Sequence, residues 1–137
     1  MSSLVLDTNI LVYALDRDSE YHSRVLRLLS NDDHILYTTS KNLSEYYAVV
    51  TRGDDPKLTP QEALQDIKQF IDHFNIIHST KNSLSILQTL ISSHSPKGLK
   101  IHDFEIAAIA LSNGLKHMTT INKKDFKSIN GLEVFTP

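Results

Sequence analysis

The segment SLVLDTNILVYAL, residues 3–15, is apolar except for Asp7, Thr8 and Asn9 at its centre. Its first part is short and does not alternate polar with apolar residues, which is typical of a parallel strand covered on both faces. Its second part predicts a helix that begins at about Ile10. A strand that leads at once into a helix is typical of α/β folds, and it leaves Asp7 just past the carboxyl end of the strand.

The same pattern recurs along the chain. Further apolar runs of strand length predict buried strands at residues 35–38, 75–78, 117–120 and 132–135. Amphipathic helical patterns lie between them, in pairs before the second, third and fourth strands. This order predicts a three-layer α/β/α sandwich with a central parallel sheet.

Two of the predicted helices carry clear end signals. Thr59 and Glu62 form a capping box at the start of one helix, and Gly114 closes another helix predicted over residues 103–113. A third helix is predicted over residues 83–94. Ligands of open α/β sheets bind outside the carboxyl ends of the strands, so we expect the functional crevice near Asp7.

Composition sets limits on the function. A chain of 137 residues with 40% hydrophobic residues and no cysteine predicts a single domain, residues 1–137, without disulfides or thiolate metal sites. No apolar run approaches the roughly 18 residues of a membrane span, and no secretory signal pattern opens the chain, so we expect a cytoplasmic protein that does not enter membranes. The net charge of −2 argues against a protein that coats nucleic acid generally.

The charge is nevertheless uneven. The segment from residue 97 to residue 127 contains six lysines and only three acids. The lysines are Lys97, Lys100, Lys116, Lys123, Lys124 and Lys127. We expect Lys97, Lys100, Lys123 and Lys124 to follow a polyanion backbone beside the crevice, although an ordinary solvated face has the same composition.

Asp103 is the clearest sign of a site. Helical periodicity places it on the same face as Ala107 and Ala110, while Glu105 lies on the opposite, solvated face. A carboxylate among small apolar residues is costly unless it has a partner, so Asp103 should have one. The simpler alternative is that Asp103 caps its own helix, just as Asp7 could cap the helix that follows it.

The other polar candidates are less distinctive. Glu45 lies three residues after Asn42, a spacing typical of a capping box, and it points away from the apolar stripe of its helix. This pattern favours a Glu45 exposed to solvent. Thr120, Asn122 and Asp125 follow a predicted strand, which is also common for polar loops.

Several acids at one edge of a sheet repel one another, and a hard divalent cation relieves that repulsion. Mg²⁺ or Mn²⁺ suits oxygen ligands and phosphoryl chemistry. The sequence has no phosphate-binding glycine loop, no dinucleotide fingerprint, no serine nucleophile elbow and no zinc-protease pattern. The seven histidines show no metal-ligand spacing, and only His102, beside Asp103, is placed to touch a substrate.

Four blocks, LVLDTNILVYAL, SEYYAVV, IHDFEIAAIALSNG and TTINKKDF, occur in this order along almost the whole chain. This ordered set resembles the PIN-domain ribonucleases, most closely the VapC-type toxins of prokaryotic toxin–antitoxin pairs. The resemblance implies that Asp7, Glu45 and Asp103 are the catalytic acids and metal ligands, which reverses the expectation of a solvent-exposed Glu45. Asn122 matches the fourth position, where many members have Asp.

The resemblance also implies supporting residues and partners. Thr8 and Thr120 match hydroxyl positions that orient a carboxylate or water, and Asp125 would add charge nearby. The implied activity is Mg²⁺- or Mn²⁺-dependent hydrolysis of RNA phosphodiesters, with one metal in the free enzyme, a cognate antitoxin and a homodimer. Two alternatives stay open: a catalytically silent PIN module, and a haloacid-dehalogenase-type phosphatase. The phosphatase requires a second Asp where this chain has Asn9.

Overall fold

The structure is a computed structural model that describes residues 2–137. The strands are β1 (Ser2–Leu6), β2 (His34–Thr39), β3 (Asn75–Ile77), β4 (His117–Thr119) and β5 (Glu133–Phe135). The helices are α1 (Thr8–Leu15), α2 (His22–Leu29), α3 (Ser40–Thr51), α4 (Pro60–His73), α5 (Lys81–His94) and α6 (Ile101–Ser112). Short 3₁₀ turns lie at Gly98–Lys100 and Lys123–Asp125. All five predicted strands are present, with small differences at their ends. The prediction that the last strand is buried is wrong, because β5 lies at the edge of the sheet and its Glu133 and Phe135 are exposed.

The five strands form one parallel sheet in the order β3-β2-β1-β4-β5. The chain moves outward from β1 through β2 to β3, and then returns to the other side of β1 for β4 and β5. The strand order therefore changes direction between β1 and β4, and a crevice opens there at the carboxyl ends. Asp7 follows β1 and Thr120 follows β4, so both lie at this switch point.

Helices cover both faces of the sheet and confirm the three-layer α/β/α fold. Val5 and Met118 lie in a core with α5 and α6, whereas Leu6 lies in a second core with α1 to α4. Successive strand residues thus enter opposite layers, and both layers are apolar. This explains why the strands appear in the sequence as unbroken hydrophobic runs.

The end of α6 has the predicted glycine signal. Gly114 has φ +72°, and its backbone N–H donates to Leu111 O at 3.0 Å while the N–H of Leu115 donates to Ala110 O at 3.0 Å. These two bonds form a Schellman motif. The buried small residues Ala107 and Ala110 line the helix, so α6 packs closely on the sheet and holds its N-terminal turn in a defined position.

Helix starts differ from the sequence prediction in two informative places. Helix α1 begins at Thr8 rather than at Ile10, with Asp7 as its N-cap. Helix α3 is capped by Thr39 and Asn42, so the Asn42–Glu45 capping box suggested by the sequence is wrong. The reason is that Thr39 still has the extended backbone of β2, with φ −102° and ψ 157°, and is therefore the residue at which the helix starts.

Among residues 2–137, no helix has the length and apolar character that a membrane crossing requires.

Candidate active site

Asp7 lies at the centre of the crevice and is almost fully buried, with 8% of its surface exposed. Its Oδ1 accepts a hydrogen bond from the backbone N–H of Thr8 at 2.8 Å, and its Oδ2 accepts one from Thr120 Oγ1 at 2.8 Å. Asp7 thus caps α1, as the simpler interpretation predicted. The cap accounts for one oxygen, while the other is tied to the end of β4.

Burial raises the pKa of Asp7 to about 6, because the ionised carboxylate is poorly solvated there. The hydrogen bonds from Thr120 and Thr8 oppose this shift, and the negative charges of Asp103 and Glu45 add to it. Asp7 therefore accepts hydrogen bonds but forms no ion pair with a basic side chain of residues 2–137. Two further acids lie close enough to repel it.

Glu45 reaches into this crevice from α3. Its Oε2 accepts a hydrogen bond from Thr8 Oγ1 at 2.7 Å, and its side chain is half-buried. The pattern-based expectation that Glu45 faces solvent is therefore wrong, and its location agrees with what the family resemblance implied. Periodicity gave the wrong answer because it identifies only the apolar stripe of α3 that packs into the hydrophobic core. The start of α1 contacts a different face of α3, and Glu45 lies on that face.

Asp103 enters the crevice from the first turn of α6. Its side chain is 27% exposed, and its Oδ2 lies 3.1 Å from Lys100 Nζ. The partner that the sequence required is thus Lys100, and the backbone N–H groups at the start of α6 receive no side-chain cap. Burial raises the pKa of Asp103; Lys100 opposes the shift, and the charges of Asp125 and Glu45 add to it.

Thr120 joins the two central strands of the site. Its hydroxyl donates to Asp7 and accepts hydrogen bonds from Asn9 Nδ2 at 3.0 Å and from the backbone N–H of Asn122 at 3.1 Å. Asn122 itself is exposed, and its backbone rather than its amide side chain enters this network. The structure therefore brings Asn122 to the rim but leaves its side chain outside the group formed by Asp7, Glu45 and Asp103.

Two asparagines organise the site in a way that the sequence analysis missed. Asn42 is fully buried, and its Nδ2 donates to Thr8 Oγ1 at 3.0 Å and to Asp7 Oδ1 at 3.4 Å. Asn9 bonds to Thr120 and also accepts from the backbone N–H of Ile121 at 3.2 Å. The sequence shows Asn42 near the start of a helix, which is a sign of a capping role. It does not show the partners of the Nδ2 group, because Thr8 and Asp7 lie more than thirty positions away.

The predicted lysines divide into two groups. Lys97, Lys123 and Lys124 are exposed, and the last two lie on the 3₁₀ turn that follows Asn122. Lys100 instead contacts both Asp103 and Asp125, whose Oδ1 lies 3.5 Å from Lys100 Nζ. Asp125 is thus tied to the site through this lysine, and Lys100 differs from the other three.

The donor set suits a hard divalent cation. Asp7, Glu45 and Asp103 offer only carboxylate oxygens, and their mutual repulsion is the kind that such a cation relieves. Within residues 2–137 no three acidic or histidine side chains are arranged as a ready set of metal ligands. Mg²⁺ does not require one, because it usually keeps several waters and binds through one or two carboxylates. The residues therefore fit Mg²⁺ or Mn²⁺ by their chemistry.

The fold and the site place the chain among α/β/α-sandwich proteins whose acidic side chains meet at the switch point of a parallel sheet. Its family follows from the sequence comparison, in which the family model of the PIN domain matches residues 4–132. The chain therefore belongs to the PIN-domain family. No curated protein matches the chain at a significant level.

Solved structures share the fold across nearly the whole chain. VapBC2 from Rickettsia felis, solved with a DNA fragment from its promoter, has a TM-score of 0.76 and 22% identity over 98% of both chains. DNA-bound VapBC from Salmonella typhimurium has a TM-score of 0.75 and 21% identity over 99% of this chain and 98% of the other. VapC20 from Mycobacterium tuberculosis, a toxin that cleaves the sarcin-ricin loop, has a TM-score of 0.72 and 12% identity over 95% and 98%.

Proposed function

We propose that this protein is a Mg²⁺- or Mn²⁺-dependent endoribonuclease and the toxin of a toxin–antitoxin pair. One observation carries the proposal: Asp7, Glu45 and Asp103, from three distant parts of the chain, converge at the switch point, and the other two acids help to raise the pKa of buried Asp7. Such an arrangement lowers the stability of the free protein, and it is useful where a cation and a phosphate are to be bound.

Asp7 and Asp103 would hold the cation, with Glu45 bound directly or through water. The bound cation would supply an activated water and stabilise the charge that develops on the phosphate. The chain's own residues position the ligands: Thr120 fixes one oxygen of Asp7, and Thr8 fixes one oxygen of Glu45. Since an amide stands at position 122, we propose one cation in the free enzyme.

RNA would approach from the side of the exposed lysines. Lys97, Lys123 and Lys124 carry no acidic partner among the described residues, so their ammonium groups are available to phosphates. Lys100 is instead paired with Asp103 and Asp125. We expect the RNA to be bound through its backbone beside the acidic crevice, with its scissile phosphate at Asp7 and Asp103.

Partners are proposed from the relatives and from one surface. Most of the similar structures named above are toxin–antitoxin complexes, which supports a cognate antitoxin. A groove of about 1100 Å³ lies between α1, α2 and α4, and its lining includes the exposed Leu15 and Leu26. We propose this groove for the antitoxin, because its lining is apolar in part and does not include Asp7, Glu45 or Asp103. A homodimer through the early helices is proposed from the family resemblance alone.

The alternatives are weaker on specific grounds. In the phosphatase, the second Asp would stand at position 9, but Asn9 donates to Thr120 and holds the loop after β4. A silent PIN module would have no use for three mutually repelling acids, since replacing one by a neutral residue would relieve the repulsion.

The decisive experiment is cleavage of RNA by the purified protein with MgCl₂ or MnCl₂. We expect cleavage that EDTA abolishes and that Asp103→Asn lowers by about 100-fold or more, because removing one electrostatic group from an active site costs on the order of 10²–10³ in rate. Glu105→Gln is the matched control. Glu105 lies two residues away on α6, and its Oε1 is 3.5 Å from Lys41 Nζ and 3.8 Å from His102 Nδ1, so the variant should retain activity unless the contact with His102 matters.

Three outcomes would contradict the proposal. Cleavage that persists in EDTA and in Asp103→Asn would exclude the metal-dependent mechanism. Hydrolysis of small phosphate monoesters without RNA cleavage would favour the phosphatase. Binding of Mn²⁺ without turnover of either substrate would favour the silent module.

A further inference from the structure

The ammonium of Lys100 is surrounded by acceptor oxygens inside the candidate site. Lys100 Nζ lies 3.1 Å from Asp103 Oδ2, 2.7 Å from the backbone O of Asp125 and 3.5 Å from Asp125 Oδ1. Two of the three N–H groups of the ammonium donate hydrogen bonds, to Asp103 Oδ2 and to the backbone O of Asp125, and Asp125 Oδ1 forms an ion pair with the same group. The side chain is only 36% exposed. The group is therefore a cation held by oxygen atoms, one of which belongs to a proposed metal ligand.

The backbone fixes this position from two sides. Lys100 ends the 3₁₀ turn Gly98–Lys100, and the spacing of three residues places its side chain beside Asp103 in the first turn of α6. Asp125 ends the second 3₁₀ turn, which follows β4 and Asn122. Lys100 thus joins the start of α6 to the loop after β4. The exposed lysines Lys97, Lys123 and Lys124 have no such contacts among the described residues.

We propose that Lys100 is an internal counter-cation of the site, which neutralises Asp103 and Asp125 in the free protein and is displaced when a divalent cation binds Asp103. The inference rests on the proposed function and adds a regulatory step to it. A divalent cation and an ammonium cannot both lie against the same carboxylate oxygen without strong repulsion. A metal on either oxygen of Asp103 would lie close to the ammonium, which is 3.1 Å from Oδ2, so repulsion between the two cations should weaken the Lys100–Asp103 contact.

Two consequences follow from this competition. The free protein gains stability from Lys100, because the ammonium offsets the repulsion among Asp103, Asp125 and Glu45. Its affinity for the divalent cation is lowered by the same contact, because the metal has to displace a bound charge. Removal of the ammonium should therefore weaken the free protein and strengthen its binding of metal.

Calorimetric titration of the metal-free protein with MnCl₂ tests the inference without an activity assay. Lys100→Met keeps the length of the side chain and removes its charge. We expect it to bind Mn²⁺ about fivefold more tightly than the wild type, in line with the modest strength of half-exposed ion pairs. In EDTA the same variant should melt at a lower temperature, and Mn²⁺ should raise its melting temperature by more than that of the wild type.

Two controls separate displacement from a general effect of charge. Lys41→Met also removes a half-buried, paired lysine, but that lysine contacts Glu105 rather than a proposed ligand, so we expect less than about a twofold change. Lys100→Arg keeps the charge and should bind Mn²⁺ no more tightly than the wild type. This variant also tests the inference if Lys100→Met folds poorly.

The outcomes distinguish this inference from the proposed function. Equal or weaker Mn²⁺ binding by Lys100→Met, while the wild type binds Mn²⁺ and cleaves RNA, would overturn the counter-cation role alone. An equal gain in Lys41→Met would overturn it too, because general charge would then explain the effect. Absence of Mn²⁺ binding in the wild type and in every variant would overturn both the inference and the proposed function.

Discussion

Two opposing effects act on the ionisation of Asp7. As the N-cap of α1 it accepts a backbone N–H, and helix caps favour an ionised carboxylate. Its burial and the acids around it disfavour the same charge, and burial has the larger effect on its pKa. The free protein therefore keeps at position 7 a carboxylate that is expensive to ionise. A carboxylate with a pKa raised in this way is typical of a functional site rather than of a residue that stabilises the fold.

The stability of the metal-free protein should show this cost. The pKa of Asp7 is raised from 3.8 to about 6, so the folded state binds more protons than the unfolded state between these values. Stability therefore falls as pH rises from about 4 to about 6, by about 2–3 kcal/mol from this group. Asp7→Asn removes the titration, so it should be more stable than the wild type at pH 7 and should lose this advantage near pH 4.

Urea unfolding in EDTA at pH 4, 5, 6 and 7 measures the difference. Asp72→Asn, at an exposed position on α4, is the control and should follow the wild type at every pH. If the unfolding free energy of the wild type instead rises relative to that of Asp7→Asn as pH increases, the fold stabilises the ionised carboxylate and the predicted pH dependence is wrong.

Capping boxes set the starts of three helices. Thr59 and Glu62 start α4, Thr80 and Ser83 start α5, and Thr39 and Asn42 start α3. The capping boxes of α4 and α3 differ in their other contacts. Thr59 and Glu62 are exposed, whereas Asn42 is buried and extends from the cap to Thr8 and Asp7. The cap of α3 is thus also part of the support of the site.

A matched pair of substitutions separates these two roles. Thr59→Ala and Thr39→Ala should each cost about 1 kcal/mol or more in stability, because each removes an N-cap side chain. Only Thr39→Ala should lower RNA cleavage, because it removes the hydroxyl that donates to Asn42 Oδ1 at 2.7 Å and leaves that oxygen only the longer bond from the backbone N–H of residue 39, at 3.3 Å. The change should loosen the asparagine that bonds to Thr8 and Asp7. Chemical unfolding and cleavage rates measure the two effects. Equal activity in both variants would contradict the supporting role of Asn42.

The elements were predictable because the information for them is local. The buried strands are continuous apolar runs, the start of α4 carries Thr59 and Glu62, and the end of α6 carries Gly114. The position of Asp103 on the small-residue face was local too, and it correctly required a partner. The contacts of Glu45 with Thr8 and of Asn42 with Asp7 join residues more than thirty positions apart, so no periodicity within one helix registers them.

The charges of the whole molecule are arranged around the switch point. The net charge is −2, yet acids converge in the crevice while the loop after β4 presents exposed lysines at its rim. An acidic crevice alone would repel RNA, and a basic surface alone would bind it without catalysis. A cation in the crevice and lysines at its edge together would allow the backbone to pass over the carboxylates.

Salt dependence of RNA binding tests this arrangement. In an Asp103→Asn background, which limits cleavage, anisotropy of a labelled single-stranded RNA gives the dissociation constant at several salt concentrations. Replacing Lys123 and Lys124 by Gln should weaken binding and reduce the slope of log K against log salt by roughly 0.7 for each lysine that contacts a phosphate.

The double variant Lys68→Gln/Lys116→Gln removes the same charge elsewhere: Lys68 is exposed on α4, and Lys116 precedes β4 at the amino edge of the sheet. It should keep the slope of the parent protein, because neither lysine lies where the backbone is expected to pass. If both double variants reduce the slope equally, RNA responds to the overall charge rather than to the rim of the crevice, and the direction of approach argued from Lys123 and Lys124 is wrong.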